Sequence, residues 1–572
     1  MILSTLSPVR YGQFLVVIAG FGGLLYGIDV GIIAAALLYL SKTVNLSVEQ
    51  TSVIVAAVLG GSMLSSLAAG VLADWFGRRK MMIVSGLLFL SSVALIVLSH
   101  GFTTLFLGRL LQGLSGGVIA VVVPLYLAEC LSAGSRGRGT AIFQLMLTVG
   151  IVVASLAGWF YTSEAERSIA GAAGNLDLIR AAQDHAWRSM FLSVIYPGLV
   201  FFLGSFLLIE TPRWLFRKGR PADARTALLR LLPPAEADLQ LREMEALALE
   251  NRGREAQETS GSLLQRKYVT PFVLACVILA CNQATGINSI LGFLVIILRQ
   301  AGMSASRATE GDVVVKLLNC LMTFVAVALV DRKGRRFLLR IGTGGIILAL
   351  ATGAVLFHAF ESERVDLRQQ VQAAVHGDTL ALPVNEATLG QAHGRSNRPM
   401  SLTVLYTFGA GDKVATVLTS DPDPLLRITP DPKHPGAPIQ IKHAFFGPVP
   451  TEQTGWLITL CLAAFISFFS VGPGVVVWLT LSELMPTRIR STGMGIALLL
   501  NQGVSTLIAA VFLPIVGNYG YFAMFSFWAA CTVIYFLTAT FFLPETKGKT
   551  LEEIEEHFER SGKHPSLAPD SR

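Results

Sequence analysis

Long apolar runs separated by short charged turns make up most of this chain. A bilayer core takes about 20 apolar residues per helix, and on that ruler twelve runs read as membrane-spanning helices. They lie near residues 13–38 (span 1), 49–73 (span 2), 80–98 (span 3), 102–128 (span 4), 138–160 (span 5), 189–209 (span 6), 269–298 (span 7), 312–330 (span 8), 337–358 (span 9), 454–481 (span 10), 490–515 (span 11) and 519–543 (span 12). An even number places both termini on one side. Two stretches break the rhythm. Residues 210–268 carry Pro221 at a helix start, Ala224, Leu228 and Leu231 at helical spacing, and a second charged helical stretch after Pro233-Pro234, which predicts a cytoplasmic helical linker. Residues 361–453 turn polar and proline-rich, with alternating strings at Ser401–Phe408, Lys413–Thr419 and Pro438–Ile441 that predict short strands. Strands and prolines of this kind cannot face lipid, and the stretch joins spans 9 and 10, so it is expected outside as a small, mostly β unit.

The turns repeat. Gly70, Asp74, Gly77, Arg78 and Arg79 end span 2, and Asp331, Gly334, Arg335 and Arg336 end span 8 with the same spacing from the aspartate onward. A second pair follows spans 4 and 10, where Glu129 precedes Arg136 by the same interval by which Glu483 precedes Arg490. The chain therefore reads as two six-span halves, and the 361–453 insertion accounts for the roughly 100 residues by which the second copy is longer. The predicted units are 1–209, the linker 210–268, 269–360, the insertion, 454–545 and a cytoplasmic tail 546–572. In the tail, Thr550 and Glu553 make a capping-box pattern, and disorder is expected beyond Ser561.

Composition agrees with a polytopic membrane protein, at 52% hydrophobic and only 15% charged residues. The net charge of +7 reflects topology rather than nucleic-acid binding, because Arg78, Arg79, Lys80, Arg136, Arg138, the 213–267 segment, Arg332 to Arg336, Arg488 and Arg490 all follow even-numbered spans. That side is read as cytoplasmic. Six cysteines show no metal-ligand spacing, so neither a metal nor a cofactor is expected.

Polar side chains inside the spans need a partner, water or ligand, which makes them functional candidates. Gln144, Asn282, Gln283, Asn288, Asn319, Trp478, Asn501 and Gln502 suit a ligand covered in hydroxyls, since amides give and accept hydrogen bonds and an indole packs on the C–H face of a sugar ring. The competing reading of each amide is interhelical glue. Asp29 lies in the middle of span 1, where its charged form is costly, so it is expected to be paired or neutral; Arg109 in span 4 must either snorkel outward or find an anion inside the bundle, and is the expected partner of Asp29.

Taken in order, six motifs resemble the sugar porter family of the major facilitator superfamily. They are Gly70-x3-Asp74-x2-Gly77-Arg78-Arg79, Glu210-Thr-Pro-Arg-Trp-Leu215, Gln283-x2-Gly286-Ile287-Asn288, Asp331-x2-Gly334-Arg335-Arg336, Gly472-Pro473-Gly474-x3-Trp478 and Pro544-Glu545-Thr546-Lys547-Gly548. The resemblance spans nearly the whole chain except the insertion and the tail. It implies an all-α fold of two six-helix halves built from inverted triplets, with the ligand near the midplane. It also implies sugar contacts from Gln144, Gln283, Asn288, Asn319 and Trp478, and an acid and base at Asp29 and Arg109, as in the proton-coupled relatives. This chain departs from the pattern at Asn282, where a glutamine is usual, at Gly292-Phe293 in place of a tyrosine pair, and at Val475 and Val477 in place of prolines, which predicts a less bent span 10.

The function expected is secondary active transport of a monosaccharide or related polyol through the inner membrane, with sugar, proton and lipid as partners, no nucleic acid, and a monomer as the working unit. A facilitative uniporter and a transporter-like sugar sensor are the alternatives; no nucleophile–base pair or metal cluster suggests an enzyme. Asp74, Arg78, Glu129, Arg136, Glu210, Arg213, Asp331, Arg335, Glu483, Arg490 and Glu545 are expected to form a cytoplasmic salt-bridge layer that holds the outward-facing state.

Overall fold

The computed structural model describes residues 7–131, 133–255, 266–384, 399–409, 411–419, 424–429, 436–485, 490–546, 553 and 558. Among them, eleven helical stretches are long and apolar enough to cross a membrane: Pro8–Thr43, Val48–Phe76, Arg78–Val97, Phe102–Cys130, Ile142–Gly171, Leu176–Phe206, Tyr268–Gln300, Ala305–Val330, Arg335–Glu361, Glu452–Leu481 and Gly493–Phe542. The last runs to 50 residues, about twice what a bilayer needs, and it turns at Gly520, where φ is 81°. It comprises spans 11 and 12, so among the described residues the spans number twelve.

Local chemistry sets the breaks. Span 2 starts at a capping box in which Ser47 and Gln50 each bond the other's backbone N–H. Spans 2 and 3 are separated by Gly77 alone, at φ 101°, and spans 8 and 9 by Gly334, at φ 88°; a side chain at either would be strained and would meet Glu210 or Glu545. Span 7 breaks at Gly286 into Arg266–Ala284 and Ile287–Gln300, with the Trp528 ring packed where a Cβ would project. Span 10 widens into a π-turn at Ser470–Gly474, where Pro473 lacks an N–H for the regular ladder. Spans 1 and 5 touch backbone to backbone, because a Cβ at Gly27 would collide with the Leu147 carbonyl and one at Gly150 with that of Leu24.

After span 6 the chain forms three helices, Pro212–Arg217, Pro221–Leu229 and Pro234–Glu255, each opened by proline. Leu215, Ala224 and Ala227 make their small core with Trp214 and Leu241. The tail beyond Thr546 lies outside the described residues except Glu553 and Phe558.

The insertion is mostly β, on the face opposite the Gly-Arg-Arg turns. Its strands are β1 Val365–Asp366, β2 Val375–His376, β3 Thr379–Pro383, β4 Met400–Thr407, β5 Asp412–Leu418, β6 Leu425–Ile428 and β7 Gln440–Pro448. They form an antiparallel sheet of order β1-β7-β4-β5 and a second of order β2-β3-β6. Leu402, Val404, Ile441, Phe446, Leu380 and Ile428 bury a core of its own, with Val371 from a short helix, Arg368–Ala373, that the strand pattern did not foreshadow.

Candidate functional site

Asp29 and Arg109 meet inside the first half. Glycines let spans 1 and 4 close on each other: a Cβ on Gly116 would already touch the Tyr26 ring and the Asp29 carboxylate. Arg109 Nη1 donates to Asp29 Oδ1 at 3.2 Å and to Gln112 Oε1 at 2.6 Å, and the guanidinium carbon lies 5.6 Å from the centre of the Phe191 ring. Both charged residues are 1% exposed. Among the described residues Asp29 Oδ2 accepts no hydrogen bond, and Arg109 Nε and Gln112 Nε2 donate none. The pair is single-pronged, so it is satisfied less fully than a forked carboxylate–guanidinium contact and has less to lose when the carboxylate is neutralised.

The amides gather mainly in the second half. Asn288, just past the break in span 7, donates to Gln283 Oε1 at 3.0 Å and to Ser505 Oγ of span 11 at 2.8 Å. Asn319 of span 8 accepts from Ser470, in the π-turn of span 10, at 2.7 Å. Asn282 and Asn501 are buried, and their side-chain amide oxygens accept nothing from the described residues. Gln502 faces Tyr26 across the boundary between halves. Gln144 is half-buried on span 5, and Trp478, just past the π-turn, is 42% exposed.

The paired turns build two closed clusters, one per half. In the first, Arg78 bonds Asp74 at 2.8 Å and Glu129 at 2.9 Å, Arg217 reaches the same two carboxylates at 3.3 and 3.2 Å, and Thr211 donates to Glu129 at 2.5 Å. Glu210 accepts the backbone N–H of Arg78, Arg79 and Thr211. In the second, Arg335 bonds Glu483 at 2.9 Å, Thr546 donates to Glu483 at 2.6 Å, and Glu545 accepts the N–H of Arg335 and Arg336. Each of these bonds stays within its own half. Arg213 lies in the helix Pro212–Arg217, whereas the side chains of Arg136, Asp331 and Arg490 lie outside the described residues. The halves meet toward the insertion instead: Leu513 N–H donates to Ser52 Oγ at 3.1 Å, Gly292 packs on Val55, and Lys316 reaches Gly31.

The profile of the family described as "Sugar (and other) transporter" matches residues 15–373 and 440–558. The chain belongs to the sugar porter family of the major facilitator superfamily. The residues between the matched segments include most of the β insertion, so the insertion is a departure from the common transporter body. This sugar porter is 26% identical over 562 residues to the glucose transporter GlcP of Staphylococcus epidermidis, covering 97% of this chain and 99% of that one. It is 29% identical over 556 residues to the human proton myo-inositol cotransporter, covering 95% and 81%. Among solved structures, the partially occluded inward open conformation of the xylose transporter XylE from E. coli superposes with a TM-score of 0.63 at 18% identity, over 94% of this chain and 100% of that one. At that identity the superposition speaks for the fold.

Sequence reasoning passed over two members of the porter's interior. Asp312 and Lys316 lie one turn apart in span 8, both buried, and the four-residue spacing of opposite charges was the available signal. Reading span 8 from residue 312 put Asp312 at a membrane edge; the helix in fact starts at Ala305. Ser470 and Ser505, which hold the amides, carry no signal of their own, since serines inside spans commonly bond their own backbone.

Proposed function

We propose that this sugar porter moves a monosaccharide or a related polyol across the inner membrane by alternating access of its two halves, in symport with a proton. The observation that carries the coupling is the buried Asp29–Arg109 pair. With Asp29 ionised, the pair ties span 1 to span 4. A proton arriving from outside neutralises the carboxylate, removes the attraction and frees Arg109 to keep only Gln112. The sugar then bridges the amides of the second half, Gln283, Asn288 and Asn319, with Gln144 of the first half, while Trp478 offers a face for the ring and Asn282, Asn501 and Gln502 border the site. Asn282 and Asn501 carry acceptors that the described residues leave unused, so a hydroxyl donor gains bonds there without displacing any.

The basic turns face the cytoplasm, with both termini on that side and the insertion outside. Because the halves join toward the insertion, the conformation is inward-facing. The two turn clusters keep each half rigid through the cycle, and in the outward-facing state Arg136 and Arg490 extend them across the boundary. The protein works as a monomer and is not an enzyme. Reconstitution tests the reading: in proteoliposomes with an acidic exterior, labelled xylose, glucose or inositol accumulates above the outside concentration, and collapsing the pH gradient abolishes the accumulation. Binding without flux would instead favour a sensor, and equilibration without accumulation a uniporter.

A further inference from the structure

The charge pair in span 8 sits on the seam between the halves. Lys316 Nζ lies 2.8 Å and 2.9 Å from the two carboxylate oxygens of Asp312, donating to Oδ2, and it also donates to the backbone carbonyl of Gly31 in span 1, at 3.0 Å. Asp312 is 1% and Lys316 0% exposed. Across the seam, Asp312 faces Ser155 of span 5, and the lack of a side chain at Gly31 lets Ala154 and Ile151 of that span pack against its backbone. The ion pair and both hydrogen bonds of this ammonium fall within one small, dry contact. The ion pair with Asp312 stays inside span 8 whatever the halves do. Of the bonds that Lys316 makes, the one to Gly31 crosses to the other half, so it must break when the insertion side opens.

We propose that Lys316, held in place by Asp312, is a latch that closes the outer gate by bonding the Gly31 carbonyl, and so acts as a positioning residue for the transport cycle. The inference rests on the alternating-access reading given above. Its location suits the task at both ends. Gly31 lies two residues beyond Asp29 on span 1, and Asn319 lies three beyond Lys316 on span 8, where it bonds Ser470 of span 10. The latch therefore joins the helix that bears the coupling carboxylate to a helix that lines the proposed sugar site. Lysine suits a reversible bond of this kind: its charge stays compensated by Asp312 after the Gly31 bond opens, so opening exposes one hydrated donor and no unpaired charge.

The test is access from the insertion side. Val55 of span 2 is buried against Gly292 of span 7 at the same closure and belongs to neither the sugar site nor the proton site. A Val55→Cys protein is treated with an impermeant maleimide, and labelling of that peptide is followed by mass spectrometry so that the native cysteines do not interfere. The double variant Asp312→Leu/Lys316→Met removes both charges together and leaves none buried alone. A charge-assisted bond of this type shifts a two-state equilibrium by roughly tenfold or more, so labelling should accelerate by about that factor. The swapped pair Asp312→Lys/Lys316→Asp turns a carboxylate toward the Gly31 carbonyl and should accelerate it as well. Labelling within about twofold of the parent rate in either folded variant overturns the latch. So does failure of both variants to fold, which would assign the pair to stability. The readout needs neither sugar nor a proton gradient, so it can fail in a working symporter and succeed in a protein that does not accumulate sugar.

Discussion

Glu210 and Glu545 do the same thing in opposite halves: each carboxylate accepts the backbone N–H groups of a Gly-Arg-Arg turn, at Arg78 and Arg79 in one case and at Arg335 and Arg336 in the other. The turns start spans 3 and 9, so each glutamate also sits at the positive end of a helix, where an anion is favoured. The match extends to Thr211 and Thr546, which donate to Glu129 and Glu483. A repeat first seen as a spacing of charges is thus a repeated set of bonds.

Removing either carboxylate leaves turn donors without their acceptor. Glu210→Ala and Glu545→Ala should each destabilise the protein by about 1–3 kcal/mol, by similar amounts because the bonds are similar. Thermal unfolding in detergent checks this; a large loss for one and none for the other would break the equivalence of the two turns.

Glu210 also predicts a pH dependence. Burial raises its carboxyl above the ordinary glutamate value, and the N–H groups of Thr211, Arg79 and Arg78 offset only part of that. A carboxyl raised on folding contributes stability that is present below its unfolded value and is lost as pH rises through the folded one. Stability should therefore fall between the ordinary glutamate range and the raised value, and Glu210→Gln, which cannot ionise, should flatten that part of the profile. A profile unchanged by Glu210→Gln would contradict the assignment.

The spans were legible because an apolar run of bilayer length has few other uses, and even the join of spans 11 and 12 was visible near Gly520. Strands β4 and β5 were legible from alternation, since β4 buries Leu402 and Val404 on one side. The sheet order was not, because pairing β7 between β1 and β4 depends on contacts far apart in sequence. For the site, Asp29 and Arg109 stood out as charges in apolar text and were expected to pair, but nothing local says that Arg109 also turns toward Gln112. Lys316 illustrates the same limit: its partner Asp312 is local, whereas its bond to Gly31 exists only once the halves are packed.

The insertion is clasped to the first half. Glu49, in the first turn of span 2, accepts the backbone N–H of Asp412 at 3.0 Å, and Asp412 in turn holds Lys442 of β7. Glu49→Ala should release the β4–β5 end of the insertion while its own core stays folded. Hydrogen exchange at the Asp412 amide should then speed up by roughly tenfold, with protection of the buried strand β4 retained. Exchange that stays at the parent rate would mean the contact does not hold the insertion.

The central claim is that Asp29 carries the coupled proton, and Asp29→Asn tests it most directly. The amide fills the same space and cannot take up a proton. In proteoliposomes with an acidic exterior, the variant should bind sugar and exchange labelled for unlabelled sugar, yet fail to accumulate it. If Asp29→Asn still accumulates sugar under a pH gradient, the pair with Arg109 is a structural tie between spans 1 and 4 and the proton travels elsewhere.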